Sequence, residues 1–322
     1  MSFIRTATTA RSAAAAARRF STEAPAQKKS NNLALYLMGA GIAGIGGYFY
    51  FSNVQKPKQT KSPLDPDNWV DFKLKKVIPY NHNTSRFVFE LPNGQASLLP
   101  ISSCVIVKSS DPEALKDANG KPVVRPYTPI SHSDKEGELE FLIKGYETGL
   151  ASKHIHGLKE GDKLSIKGPI PKWPWKQNEF EEVGLIGGGS GITPLYQILK
   201  HALPDPSNKT KFKLIFANIA PADILLKEEF DEWKKKYPNN FDVVYTVDKP
   251  TPDWKGPSGY INAELIKKEI ASPELKEKTK IFICGPPGQV DAIAGKKAGM
   301  KQGELGGILK QLGYTEDQVY KF

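Results

Sequence analysis

The sequence predicts two bodies of different class in one chain: an antiparallel β-barrel, then an α/β domain on a parallel sheet, both behind an N-terminal transmembrane helix. Three observations carry this reading. Residues 69–176 form short apolar or alternating runs broken by Pro, Gly and Asn, without a convincing long helix, which is the pattern of a small all-β body. Residues 177–322 alternate strand-like and helix-like runs, which builds a parallel sheet covered on both faces. Residues 33–51 contain no charge at all.

Taken in order, residues 1–32 read as a mitochondrial targeting segment. The first 22 carry Arg5, Arg11, Arg18 and Arg19, abundant Ala, Ser and Thr, and no acid. The 19 uncharged residues "LALYLMGAGIAGIGGYFYF" at 33–51 follow. As a helix they would extend about 28 Å, close to the thickness of a bilayer core. Tyr48, Phe49, Tyr50 and Phe51 gather at one end, where aromatic rings suit the membrane interface. The five glycines make the span only weakly hydrophobic, yet they would suit a buried soluble helix even less. Residues 52–68 are polar and proline-bearing, and read as a tether.

In the first body the strand candidates are "DFKLKKVIPY", "TSRFVFELP", "SSCVIVKSS", "GELEFLIKGY" and "EGDKLSIKGP", with one helix at 151–158. In the second, the strands "EVGLIGG", "KFKLIFANI", "FDVVYTVD" and "TKIFICGPPG" alternate with helices at 193–201, 224–237, 261–270 and 307–314. No internal repeat is present.

Charge narrows the function. The net +10 is concentrated at the N-terminus, where residues 1–61 hold nine Lys and Arg against one acid. The remainder holds 36 against 34, so the body has no bulk attraction for nucleic acid. Cys104 and Cys284 are too few for a disulfide framework or a metal cluster, and Cys104 reads as a reduced structural thiol. His154 and His156 lie two apart and would diverge on a helix, so no metal site is expected.

Three motifs carry chemistry. "LIGGGSGITP" runs from a strand into a helix, but Gly-x-Gly-x-x-Gly fails, because the sixth position is Ile192 from Gly187 or Pro194 from Gly189. No Lys-Ser or Lys-Thr makes a Walker loop. At the carboxyl end of a strand such glycines let backbone approach a ligand, and the helix start favours phosphate. Thr193 is the expected N-cap and Pro194 suits the first turn. "ICGPPG" is a second close-approach loop, with Cys284 at its strand's edge. "RPYTPIS" places the fork of Arg125, the ring of Tyr127 and the hydroxyl of Thr128 together, which suits a pyrophosphate, a flat ring and a ring nitrogen.

In this order, and across these two bodies, the three motifs resemble the ferredoxin-reductase superfamily, and within it the NADH–cytochrome b5 reductase family. The likeness covers 71–322, and the leader and anchor resemble the mitochondrial form found in fungi. The resemblance implies a barrel holding FAD and an α/β domain holding NADH. Hydride would pass to flavin N5 and single electrons onward to cytochrome b5. Arg125 would meet the FAD pyrophosphate, Pro126 and Tyr127 would pack on the flavin, and Thr128 would lie near N5. "IKGY", where the family has "IKVY", would bring Lys144 and Tyr146 to the cofactor. "GLAS" stands where the family has "GKMS", so only Gly149, Ser152 and backbone donors carry over. Gly188, Gly189, Ser190, Gly191, Thr193 and Pro194 would contact NADH, with Cys284, Gly285 and Pro286 bordering the nicotinamide. Thr128 and Cys284 would thus sit at the reacting atoms. Asp248 would bond a ribose 2′-hydroxyl and repel a 2′-phosphate, favouring NADH over NADPH.

The family also implies a place at the mitochondrial outer membrane, with an intermembrane-space processed form as the second location. Lysines such as Lys144 or Lys153 would face the acidic haem edge of the acceptor. Alternatives keep the fold and change the acceptor to a quinone, a ferric complex or another haem protein. A non-catalytic nucleotide-binding tether is weaker, because "RPYT" and "CGPPG" are both intact.

Overall fold

The computed structural model describes residues 61–322, so the expected targeting segment, membrane span and most of the tether lie outside the described residues. Among the described residues no helix is long and apolar enough to cross a membrane. Six strands make an antiparallel sheet: β1 (Val70–Pro79), β2 (Thr84–Glu90), β3 (Ser103–Ser109), β4 (Arg125–Tyr127), β5 (Glu138–Lys144) and β6 (Lys163–Pro171). Their order is β4-β3-β6-β1-β2-β5. Alternate side chains share one interior, with Phe87 and Phe89 from β2, Leu139, Phe141 and Ile143 from β5, and Val105 and Val107 from β3. The two edge strands are drawn together beyond β4, where the Ile130 N–H donates to the Glu140 carbonyl at 2.8 Å. The Glu140 N–H donates to Ser131 Oγ at 3.1 Å. This curls the sheet toward a barrel and leaves less open edge. One helix, α1 (Leu150–Gly157), follows β5.

The second sheet is wholly parallel: β7 (Glu182–Gly188), β8 (Lys211–Asn218), β9 (Phe241–Val247), β10 (Thr279–Cys284) and β11 (Val319–Lys321), in the order β11-β10-β7-β8-β9. Both faces are apolar. Val183, Leu185, Phe212, Leu214 and Phe282 pack toward α2 (Ile192–Ala202) and α3 (Lys227–Lys236). Ile186, Ile215, Ile281 and Ile283 pack on the other side, toward α4 (Ala263–Glu269), α5 (Pro287–Ala294) and α6 (Gly307–Gln311). Helix α2 buries Ile192, Leu195, Ile198 and Leu199 on one stripe, each such side chain contributing roughly 1.5–3 kcal/mol when fully buried. Ile130 and Leu142 of the antiparallel lobe join the same cluster, so the lobes share core.

Most strands and helices fall where the sequence pattern puts them, but β4, only three residues long, is absent from the strand candidates, α3 begins at Lys227 and not at 224, and three further differences stand out. The "GPPG" turn opens α5, because Pro287 fits a first helical position that needs no N–H. Strand β11 is only three residues, too short to show a period. Thr193 is not the N-cap: the loop passes through a 3-10 turn at Gly189–Gly191 directly into α2, so Gly191 caps it. Thr193 sits inside the first turn and donates to the Ser190 carbonyl at 3.4 Å. From β7 the chain moves to β8 and β9, then returns to β10 on the other side of β7. That reversal opens a crevice at the carboxyl ends of β7 and β10, where an α/β sheet places its ligand.

Candidate functional site

Two adjoining cavities meet there, one of ≈ 790 Å³ between the lobes and one of ≈ 510 Å³ over the parallel sheet. Both fall in the range of roughly 300–1,000 Å³ usual for cofactor sites. Lys144, Tyr146 and Pro286 line both.

The larger cavity brings all three motifs together. Pro126, Tyr127 and Thr128 form its antiparallel wall. Gly188, Ser190, Gly191, Thr193 and Pro194 face them, and Cys284 and Gly285 join the third side with Pro286. Tyr127 is fixed edge-on against Phe141, ring centroids 6.4 Å apart, and burial pushes its phenol up to about 12, so the ring is neutral. A Cβ on Gly191 would lie 2.6 Å from the Cys284 carbonyl oxygen and 2.7 Å from Gly285 Cα, so the two glycine loops touch backbone to backbone. Gly189 is needed for another reason: its φ is +50°, with nothing near a Cβ.

Cys104, the reduced structural thiol expected from sequence, is free and buried and also lines this cavity. Burial pushes its thiol up. Burial pushes the Cys284 thiol up to about 12, against the charge of Lys297. Although Cys284 retains some exposure to the cleft, neither cysteine is a thiolate nucleophile.

The smaller cavity holds Gly189 and Asp248. Burial raises the Asp248 carboxyl, and the nearby Lys249 charge only partly opposes this. Ile219 and Tyr260 line it while remaining exposed, which leaves apolar surface for a flat group. Asn218, at the end of β8, lines it too, and both its side-chain polar atoms are buried without a partner. Sequence reasoning missed these three. The signal for Asn218 and Ile219 was their place at a strand's carboxyl end; Tyr260 gave none.

Arg125, Gly149 and Ser152 line neither cavity. Arg125 is exposed and donates to the Val124 carbonyl at 2.8 Å. Ser152 Oγ accepts from the Tyr146 N–H at 3.1 Å and donates to the Gly149 carbonyl at 3.0 Å, so it closes the turn into α1. Ala151 packs with Val123, two residues before Arg125, so Arg125 and the start of α1 lie on one corner. The first α1 amides have no side-chain cap, and with Arg125 they suit an anion.

At the boundary of the cavities the Tyr146 hydroxyl meets Ser190 Oγ at 2.7 Å, joining the lobes. The Lys144 ammonium donates to Asp223 at 2.9 Å, so the expectation that Lys144 docks an acceptor protein is set aside: its charge is already paired. Among the described residues no group of three or more His, Cys, Asp or Glu is placed to hold a metal.

The sequence matches the family described as Oxidoreductase FAD-binding domain over residues 71–175, and Oxidoreductase NAD-binding domain over residues 185–294. The NADH-cytochrome b5 reductase 2 of Mycosarcoma maydis is 44% identical over 333 residues, covering 97% of this chain and 95% of that protein. The protein of the same name from Coccidioides immitis is 42% identical, covering 98% of each. Among solved structures, the cytochrome b5 reductase domain of Ulva prolifera nitrate reductase aligns with TM-score 0.70 at 26% identity, covering 81% of this chain and all of that one. The CS-b5R domains of human Ncb5or in the NAD+ form align with TM-score 0.62 at 26% identity, covering 79% of this chain and 69% of that one.

Proposed function

The chain belongs to the NADH-cytochrome b5 reductase family and is an NADH-dependent FAD oxidoreductase, and from that premise we propose how its residues divide the work and that cytochrome b5 accepts the electrons. The residues present fit both cofactors. Gly189 lines the second cavity with open space where a side chain would stand, the Asn218 amide, without a partner among the described residues, borders it, and Arg125 with the α1 start offers an anion corner. Bound FAD supplies the exchange between the two-electron hydride of NADH and the single electrons a haem protein takes.

Pro126 and Tyr127 form the face on which the flavin rests, with Thr128 offering a hydroxyl to its reacting edge. Arg125 and the α1 amides hold the pyrophosphate, and Lys144 and Tyr146 lie where flavin and nucleotide meet. Gly188 to Gly191, Thr193 and Pro194 admit NADH, with Cys284, Gly285 and Pro286 against the nicotinamide. Asp248 receives the ribose 2′-hydroxyl and excludes a 2′-phosphate. The neutral Tyr127 ring and the neutral Cys284 thiol add no charge to the cavity, whose lining ammonium groups are Lys144, Lys172 and Lys297. No acid–base triad is required, because the chain's task is alignment.

One observation carries the reading: residues from all three motifs, Pro126 to Thr128, Gly188 with Ser190 and Gly191, and Cys284 to Pro287, line a single cavity between the lobes. The test is the visible spectrum of the purified protein before and after anaerobic NADH or NADPH, followed by addition of cytochrome b5, a quinone or a ferric complex. Rapid bleaching by NADH, slow bleaching by NADPH and fastest reoxidation by cytochrome b5 are expected. A colourless protein that takes up no FAD ends the reading, and faster turnover with another acceptor replaces the partner.

The same proposal places the body at the mitochondrial outer membrane, tethered by residues 33–51, with a processed intermembrane-space form. The support is the basic, acid-free leader and the uncharged run behind it. Carbonate extraction of isolated mitochondria tests it, since full release into the soluble fraction contradicts an anchor.

A further inference from the structure

Asp223 is a carboxylate of the NAD lobe whose side-chain partners all belong to the FAD lobe. It ends the short turn Pro221–Asp223 after β8 and is 7% exposed. Its Oδ1 accepts from Lys144 Nζ at 2.9 Å and from Asn83 Nδ2 at 3.3 Å, and His82 Nε2 lies 3.5 Å away. Burial alone would raise its pKa, but the bonds from Lys144 and Asn83 and the charges of Lys144 and His82 outweigh it, and the net shift is downward. The carboxylate is therefore charged and engaged from across the seam.

The residues around it repeat the pattern. Asn81 Nδ2 donates to the Ala222 carbonyl at 3.1 Å. Leu226, held in the left-handed region at φ 56°, starts α3 with no side-chain cap, and its N–H donates to the Tyr80 hydroxyl at 2.7 Å. Arg86 pairs with Glu229 at 2.8 Å. Residues 80–86 of one lobe thus grip residues 222–229 of the other. The gripped segment continues directly from Asn218 and Ile219, which line the smaller cavity, and Lys144 lines both cavities. The strain at Leu226 is held by this grip, as strained backbone at functional sites is held by its surroundings.

We propose that Asp223 is a positioning residue for hydride transfer, acting through Lys144 to fix the lobes' register where the two cavities join. This rests on the NADH–FAD reading above. Lys144 is the ammonium that lines both cavities, and Asp223 determines where it points. The carboxylate touches neither cofactor wall itself, so its loss acts on alignment and not on flavin retention.

The test uses the FAD-loaded full chain and anaerobic stopped-flow reduction by NADH and by NADH deuterated at the transferred position. Asp223→Asn is expected to lower the limiting reduction rate about ten- to a hundredfold, the scale of an ångström-level misplacement. The primary isotope effect should rise, with flavin content unchanged. Asp223→Glu should recover most of the rate. In a Lys144→Gln background Asp223→Asn should add nothing, because the two act as one unit. Additive losses, an unchanged rate and isotope effect, or tighter NADH binding with faster reduction would each overturn the proposal. Should Asp223→Asn not fold, His82→Ala with Asn83→Ala loosens the carboxylate that aims Lys144 and should lower the rate about threefold, an effect lost in the Lys144→Gln background. No change there would also overturn it. Failure of the wild type to be reduced by NADH would refute the underlying reading instead, so the two failures are distinguishable.

Discussion

In the proposed site the FAD lobe would meet its ligand with side chains, and the NAD lobe would meet its own largely with backbone. Arg125 and Tyr127 come from the short strand β4 and Thr128 directly follows it, each with its own chemistry. Across the cavity Gly188, Gly191 and Gly285 form part of the wall, and there the absence of a side chain lets the loops pack backbone to backbone. A side-chain site fails gradually, one bond at a time. A backbone site fails by steric exclusion, because main chain cannot rotate out of the way as a flexible side chain can.

The sharpest way to break this contrast is Gly191→Ala. The added methyl lands on the Cys284 carbonyl and Gly285 Cα, neither of which can yield cheaply. NADH-driven flavin reduction should fall about a hundredfold with FAD retained, measured by anaerobic stopped-flow. Tolerance would mean the loops do not pack as described. Arg125→Ala comes next. Among the described residues its guanidinium bonds only the neighbouring Val124 carbonyl, so thermal stability should hold. FAD affinity should drop roughly ten- to a hundredfold in a fluorescence titration, the loss of charge-assisted bonds worth about 1.5–3 kcal/mol.

Asp248→Ala should narrow the NADH to NADPH ratio of kcat/KM about tenfold or more, since like charges in contact repel by roughly 1–4 kcal/mol. The wild-type carboxyl is raised by burial, so it takes up a proton at higher pH than an ordinary aspartate. Its preference for NADH should weaken as pH falls through that raised value, and Asp248→Ala should lack this dependence. A pH series of both ratios checks it. Gly189→Ala sharpens the contrast within the knot itself. Nothing lies near the new methyl, and only the left-handed backbone objects. Stability should fall by about 1–2 kcal/mol in thermal unfolding, with far less effect on reduction than at Gly191.

The smallest effect is expected away from both sites. Lys135 at 2.7 Å and Lys75 at 2.8 Å hold the Glu138 carboxyl down to about 2 from 4.5. A depressed acid stabilises the fold above its unfolded value, and that contribution is lost as pH falls from about 4.5 to about 2. Because the pair is largely solvated, Glu138→Gln should cost less than about 1 kcal/mol at neutral pH. The cost should vanish in acid, as denaturant titrations at the two pH values would read.

What was legible in the sequence was local. "RPYT", "GGGSG" and "CGPPG" each carry their chemistry within a few residues, and strands long enough to alternate declared themselves. Asn218 and Ile219 showed only their place at a strand's carboxyl end, and Tyr260 and Asp223 were not legible, because their meaning comes from crossing strands and a seam between lobes. Cys104 is the inert buried thiol the sequence suggests, and only the structure shows that β3 also brings it to the cleft. The anion corner at Arg125 depends on Ala151 packing beside Val123, a contact between residues far apart in the chain. Thr193 misled for a physical reason: a good capping side chain is not used when a 3-10 turn runs straight into the helix.

The order of strands in the parallel sheet also has a consequence in time. The glycine knot follows β7, which ends at Gly188, but the carbonyl it packs against arrives only with β10, which begins at Thr279. A growing chain emerging from the ribosome carries the complete antiparallel sheet once it reaches Pro171, with Tyr127 and Thr128 already in place. The wall that receives the hydride donor cannot exist until nearly the whole polypeptide has been made. During synthesis the surface for flavin therefore precedes the crevice for nicotinamide, and a partly translated molecule has nowhere to complete the electron path.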